Sequence, residues 1–212
     1  MNRRLLGRAS RPRLGWLAAL VLCGAGCLFH DAPPPRYFAP PSALATADDP
    51  PDGAVAVRPV RLRRVRAASY LGQQIAWRVS DVEHGLYEQR RWTEFPTRYV
   101  ERVMAQALDH TAGVRRVVSG RVATLDLELV SFDEVLAPTH EAAVQILAAL
   151  RAADQTAIFE RAFSARRPIA DDDPAAAARA LGAALDDVVE QIASQVAADA
   201  PIATPAATHP RS

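Results

Sequence analysis

Apolar residues alternate with polar ones over several short stretches of this chain and recur every three or four residues over two longer ones. Val55 and Val57, then Val60 and Leu62, alternate, but the apolar face switches around Pro59; a bulge on an edge strand would account for both the switch and the proline. Residues 75–79 predict a second strand and residues 86–89 a short third one. Pro96 then opens a helix with the stripe Tyr99, Val100, Val103, Met104, Ala107 and Leu108, which Gly113 ends. Three further strands follow. Leu125, Leu127 and Leu129 alternate with Asp126 and Glu128 in a strand that runs on to Phe132, and Pro138 breaks the chain. Ala142, Val144, Ile146, Ala148 and Leu150 alternate next, and residues 156–165 carry Phe159 and Phe163 on one face. Asp173-Pro174 reads as a cap followed by proline at the first helical position. The closing helix gathers Leu181, Leu185, Val188, Val189, Ile192 and Val196 on one side. The predicted class is α+β: a mostly antiparallel sheet with two amphipathic helices packed on one face.

The patterning stops at both ends. Residues 31–53 hold Pro33, Pro34, Pro35, Pro40, Pro41, Pro50 and Pro51, which exclude a helix or central strand and favour polyproline extension. Residues 198–212 offer little to pack and read as a disordered tail. At the other terminus Arg3, Arg4, Arg8, Arg11 and Arg13, with no acid among them, precede an uncharged apolar stretch and then Gly24-Ala25-Gly26-Cys27. Basic, apolar, small residues, cysteine is the order of a bacterial secretory signal ending at a lipidation site. The apolar run falls short of the roughly 20 residues a membrane span needs. The expected organisation is a removed signal over residues 1–26, an acylated Cys27 with a Pro-rich tether to residue 53, a domain over 54–197, and the tail. An ordinary secretory signal and an uncleaved anchor remain as alternatives.

Composition narrows the function. The 25 Lys+Arg residues are all arginine and face 24 acids, for a formal net charge of +1. Loss of the five leader arginines would leave a mildly acidic chain, which argues against nucleic acid as a partner. With Cys23 removed and Cys27 acylated, no thiol would remain for a disulfide, a metal site or a nucleophile. His30 and His209 lie in the ends, while His84, His110 and His140 sit beside turns, and no pair has metal-binding spacing. No serine elbow or glycine-rich phosphate loop occurs. Asp171-Asp172-Asp173 lacks the alternate spacing of a calcium loop and reads as a helix cap. No catalytic residue, metal or cofactor is expected, and the chain does not read as an enzyme. Arg58, Arg61, Arg63, Arg64 and Arg66 form the densest charge feature. They protect an edge strand from aggregation, or they face lipid headgroups or an acidic partner, with Arg61, Arg63 and Arg64 as the binding candidates.

Residues 57–108 also carry a resemblance. They run V-R-P-V-R-L, then S-Y-L-G-Q-Q-I-A-W-R over 69–78, then Y-E-Q-R-R-W-T-E-F-P over 87–96, then the helix. This resembles the ABC-type transport auxiliary lipoprotein family, which includes paraquat-inducible lipoprotein C. That family's Tyr-Leu turn, its Ile-x-aromatic-Arg strand and its strand ending in Trp before the first helix correspond to Tyr70-Leu71, Ile75-Ala76-Trp77-Arg78 and Trp92. The likeness extends over roughly residues 55–196. The family's usual Tyr-Tyr-x-Leu opening strand has Arg36-Tyr37-Phe38-Ala39 as its nearest counterpart, crowded by prolines. Either that strand is degraded here, or Tyr37-Phe38 pair on the sheet edge within the tether.

The resemblance implies a non-enzymatic outer-membrane lipoprotein on the periplasmic side. It would be the auxiliary component of an ABC transport system that uses MCE-domain proteins to move phospholipid between envelope membranes. Its implied partners are an MCE-domain protein, ABC transporter subunits and the membrane reached through the N-terminal lipid. Leu28 after Cys27, in place of the inner-membrane retention Asp, points to the outer membrane. Rings formed by family members leave a homo-oligomer open, with no stoichiometry. Tyr70, Leu71 and Tyr87 are the candidate partner anchors, with core or turn packing as their other reading. A structural lipoprotein assisting another outer-membrane export machine is the alternative, because fold alone does not separate the two.

Overall fold

The computed structural model describes residues 33–44 and 57–202; the leader, Cys27, Val55, much of the tether and the last ten residues lie outside the described residues. Pro33 and Pro34 belong to a separate N-terminal unit, and the fold is that of the unit beginning at Pro35. Its strands are β1 (Arg36–Phe38), β2 (Arg58–Leu62), β3 (Arg66–Ala67), β4 (Gln74–Arg78), β5 (His84–Trp92), β6 (Val114–Arg116), β7 (Ala123–Val135), β8 (Glu141–Arg151) and β9 (Ala157–Pro168). Its helices are α1 (Pro96–His110), between β5 and β6, and α2 (Pro174–Asp199), after β9.

β7 is the spine of the sheet. Along one edge it pairs antiparallel with β8, which pairs antiparallel with β9 in equally long ladders. Its other edge is served in succession by β2, β3 and β4, all parallel to it. Residues 58–78 therefore act as one long strand interrupted twice. Between Leu62 and Arg66 one residue more is spent than on β7, and residues 68–73 loop out before β4 resumes the pairing. β6 lies outside β2, β5 outside β4, and β1 outside β5. The class is α+β and the sheet mostly antiparallel, as the pattern predicts, with a parallel edge that local alternation did not reveal.

Two expectations change. β2 is not an edge strand, since β6 and β7 flank it. Its hydrogen bonds to β6 use Arg58 and Val60: the Arg58 amide donates to the Gly113 carbonyl (2.8 Å) and the Val117 amide to the Val60 carbonyl (2.9 Å). Pro59 faces the β7 side one residue before that pairing starts at Val60–Ala123, so its missing N–H forfeits no ladder bond. No bulge stands at Pro59; one follows Leu62, where the buried position moves to Val65, while Val57 is exposed. Likewise α1 closes at His110, and Gly113 (φ 76°) serves the turn into β6.

The helices share one face of the sheet. Leu125, Leu127 and Leu129 of β7 and Val144, Ile146, Ala148 and Leu150 of β8 face them, all buried. Each large aliphatic side chain so buried contributes roughly 1.5–3 kcal/mol. A bulge at Val130 then reverses the parity of β7: Ser131 pairs with Gln145 and Phe132 with Val144. Phe132 joins the core beneath the helices, while Ser131 and Asp133 turn to the opposite face. Every residue of the two predicted helical stripes is buried. The Asp173 carboxylate accepts from the Ala175 amide (3.2 Å), as its cap position requires.

Of the two alternatives for Tyr37-Phe38, the pairing on the sheet edge is the one found. β1 runs parallel to β5, with Tyr37 opposite Arg91 and Phe38 opposite Trp92. Phe38 is buried and Tyr37 exposed. The chain then crosses α2 as a strap. The Ser42 hydroxyl donates to Asp186 Oδ1 (2.6 Å) and the Ala43 amide to Oδ2 (2.7 Å), above a glycine, Gly182, that contacts Pro41. Residues 36–44 thus belong to the folded unit, not to a free tether. Likewise α2 runs to Asp199 and Ala200 is buried, past the expected domain end at 197.

Candidate functional site

The helix-free face of the sheet collects the arginine strip. Alternation places Arg61, Arg63 and Arg66 on that face, level with Thr124, Asp126 and Glu128 of β7. Arg61 Nη2 donates to Thr124 Oγ1 (3.3 Å), Arg63 Nε lies 3.4 Å from Asp126, and Arg66 Nη2 lies 3.4 Å from Glu128. Arg64 sits at the bulge, exposed, with no acid against it among the described residues. With Leu147, Ala149 and the Arg151–Glu160 pair (3.6 Å), these side chains form a groove of mixed charge. The strip therefore spans β2, which is flanked on both sides, and β3, which pairs only with β7, and it is not a purely basic patch. Surface pairs of this kind each contribute about 0–1 kcal/mol, so the groove adds little to stability.

The three other candidates do not converge. Leu71 is buried in the core and unavailable to a partner. Tyr70 reaches over the helix-free face, where its hydroxyl lies 3.2 Å from both the Val130 carbonyl and Asp133 Oδ1. Its ring stacks on His84 at 6.0 Å. Burial, then the Asp133 charge, pushes its ionisation well above the usual tyrosine range.

Tyr87 belongs to a second cluster, on the helix side, which periodicity alone did not suggest. The Arg90 guanidinium lies 4.0 Å above its ring and 3.2 Å from Glu134 Oε2. Glu134 Oε1 lies 2.8 Å from His140 Nε2, and His140 Nδ1 is 3.8 Å from Asp172 at the start of α2. Glu134 is 4% exposed, a buried carboxylate held by two partners. Trp77 lies across Gly85, where a Cβ would come within 2.3 Å of the indole. The signal for this cluster was Glu134 itself, an acid that the Val130 bulge turns to the helix side.

Burial first, and then Glu134, pushes the Tyr87 ionisation up to about 12, against the lowering influence of Arg90. The sign for stability follows. Unfolded tyrosine loses its proton near pH 10 while folded Tyr87 keeps it, so the folded state binds more protons and stability falls from about pH 10 to about pH 12. The chain has no lysine to titrate across this window. Tyr87→Phe should flatten the decline in urea midpoint between about pH 9 and about pH 11, leaving a remainder from Tyr70. An unchanged slope would contradict the assignment.

Among the described residues no group of His, Cys, Asp and Glu could hold a metal ion, and no helix is long and apolar enough to cross a membrane. Comparison with known proteins adds a family and a fold. A family model described as "ABC-type transport auxiliary lipoprotein component" matches residues 40–193. The crystal structure of protein XCC0632 from Xanthomonas campestris, of family DUF330, superimposes with a TM-score of 0.66 at 21% identity, covering 77% of this chain and 95% of that chain. A second, of an uncharacterized protein, gives 0.60 at 14% identity, covering 77% and 99%. At these identities the likeness is one of fold. No curated protein matches significantly.

Proposed function

Because the chain belongs to the ABC-type transport auxiliary lipoprotein component family, and is thereby a transport-associated lipoprotein of the cell envelope, we propose that it is the periplasmic auxiliary subunit of an MCE-type system. In this reading Cys27 carries the lipid, the outer membrane holds it, and the domain docks an MCE-domain protein so that phospholipid passes between the membranes. It performs no catalysis. The observation that carries the reading is the extent of the family match, which begins in the strap at Pro40 and ends within α2 at Ala193. The helix-free face supports it: its groove pairs the exposed Arg63 and Arg66 with the half-buried Asp126 and Glu128, and a protein partner can exchange those pairs for its own. The strap supports it too. With residues 36–44 docked, the chain from Cys27 to Arg36 can reach at most about 30 Å, which keeps the domain near its membrane.

The test uses an affinity-tagged chain in its own envelope. The unaltered protein should fractionate with outer membranes and capture MCE and ABC subunits. Cys27→Ser should appear in the soluble periplasmic fraction with unchanged thermal stability. Capture of neither subunit would sink the MCE reading, and a Cys27→Ser protein still firmly anchored would sink the lipid assignment. Recovery of another export machine in their place would identify the chain as an assembly lipoprotein.

A further inference from the structure

Three strands bring an unassigned set of hydrogen-bond donors together on the helix-free face, near the β7–β8 turn. Ser131, Gln145 and Ser164 stand level across β7, β8 and β9. In the next row Ala143 lies between Asp133 and Arg166. A methyl group flanked by longer side chains leaves a concavity. Arg78 reaches into it from β4, on the far edge of β7, and lines it together with Ser131, Gln145, Ser164 and Arg166.

Arg78 is the anomaly. Its side chain is only 19% exposed, and its nearest acid oxygen, Asp133 Oδ2, is 3.9 Å from Nε, outside hydrogen-bond distance. Nε is buried without a partner. Asp133 is already engaged by the Ser131 hydroxyl (2.7 Å) and the Tyr70 hydroxyl (3.2 Å). A guanidinium cannot shed its charge, so a mostly buried one with unmet donors is costly until an acceptor arrives. The Arg166 side chain donates one Nη1 bond to Glu141 and, among the described residues, makes no other hydrogen bond. Gln145 and Ser164 make no side-chain hydrogen bond there either.

We propose that this cradle, floored by Ala143 and walled by Arg78, Arg166, Gln145 and Ser164, binds a phosphate group. Donors converge from three sides, which suits a tetrahedral oxyanion with several oxygens better than a planar carboxylate, for which a single arginine fork suffices. Asp133 and Glu141 offset the two arginines, so the site takes a singly charged phosphodiester in preference to a dianion. The phosphate can come from a lipid headgroup or from a free solute. The inference rests on Arg78 and its surroundings, not on the identity of the transporter, and each can fail without the other.

The test is calorimetric titration of the full, acylated chain in maltoside micelles, which carry no phosphate, at constant ionic strength. The probes are inorganic phosphate and glycerophosphoglycerol, a soluble phosphodiester, followed by vesicles containing phosphatidylglycerol. Saturable binding of glycerophosphoglycerol is expected, weakened at least about tenfold in Arg78→Gln and in Arg166→Gln. Ala143→Val keeps every charge but fills the floor, and should weaken it as well. Arg151→Gln, outside the cradle, should bind like the unaltered chain. Phosphatidylglycerol vesicles bound through Arg78 identify a headgroup site, and binding of the soluble probes alone identifies a solute site. No saturable binding of either soluble probe, or equal binding by unaltered chain, Arg78→Gln and Ala143→Val, overturns the proposal. Melting curves keep the variants comparable, and Ala143→Val decides should either arginine variant fail to fold.

Discussion

Trp92→Ala should destabilise the domain by about 3–5 kcal/mol and lower its melting temperature by roughly 6–20 °C. Trp92 is 1% exposed and closes β5 just before α1 begins. Its ring meets Phe132 of β7 at 5.2 Å and Tyr99 of α1 at 6.2 Å, edge-on to the latter. It also lies opposite Phe38 of β1. One side chain therefore joins the spine strand, the first helix and the outermost pair of strands. Tyr99 cannot move to fill the gap without breaking its own bonds, since its hydroxyl lies 2.7 Å from Thr93 Oγ1 and accepts from the Glu94 amide at 3.0 Å. A cavity that cannot collapse costs the most. Urea unfolding at constant m-value measures the effect, and Trp92→Phe should recover much of it. A loss below about 1 kcal/mol would mean that this junction is not tightly packed.

What could be read in advance follows a physical division. Both helices and the long strands β7 and β8 were legible because each buries one face, and burial imposes a period on the residues themselves. β1, β3 and β6 hold three residues or fewer and carry Arg36, Arg66, Arg115 and Arg116, so they are too short for any period to show. Their pairing is dictated by β5, β7 and β2, strands distant in sequence. The Val130 bulge hid the most. It exchanges the faces of the residues after it, so that Glu134 lies beneath Arg90 and His140 while Asp133 faces Tyr70.

The candidate site divides in the same way. Arg61, Arg63 and Arg64 stand out in the sequence because they are close together, yet the partners of the strip, Thr124 for Arg61, Asp126 for Arg63 and Glu128 for Arg66, come from β7. Tyr70 and Tyr87 stand out as aromatic, but only the fold shows that they occupy opposite faces. The phosphate cradle was invisible, because Arg78, Ala143, Ser164 and Arg166 are ordinary residues until the register of four strands brings them together.

Gly182→Val should release the strap that holds residues 39–44 on α2. A Cβ at position 182 would lie 2.1 Å from the Pro41 carbonyl oxygen and 3.1 Å from Pro41 Cδ, so one backbone must move. The helix will not, because the neighbouring Leu181 and Leu185 are fixed in the core. Glycine inside a helix normally costs about 1 kcal/mol relative to alanine, in a helix that is otherwise rich in alanine. Close approach of the strap is what justifies it here. Displacement forfeits both hydrogen bonds to Asp186, and with them about 2–3 kcal/mol once that carboxylate regains water. Asp186→Ala removes the bonds without the clash and should open the strap less completely. Limited proteolysis reads both variants: cleavage between residues 39 and 57 should accelerate strongly in Gly182→Val, moderately in Asp186→Ala, and little in a surface control such as Arg179→Ala. A Gly182→Val chain cleaved no faster than the unaltered protein would show that the strap is held by something other than this contact.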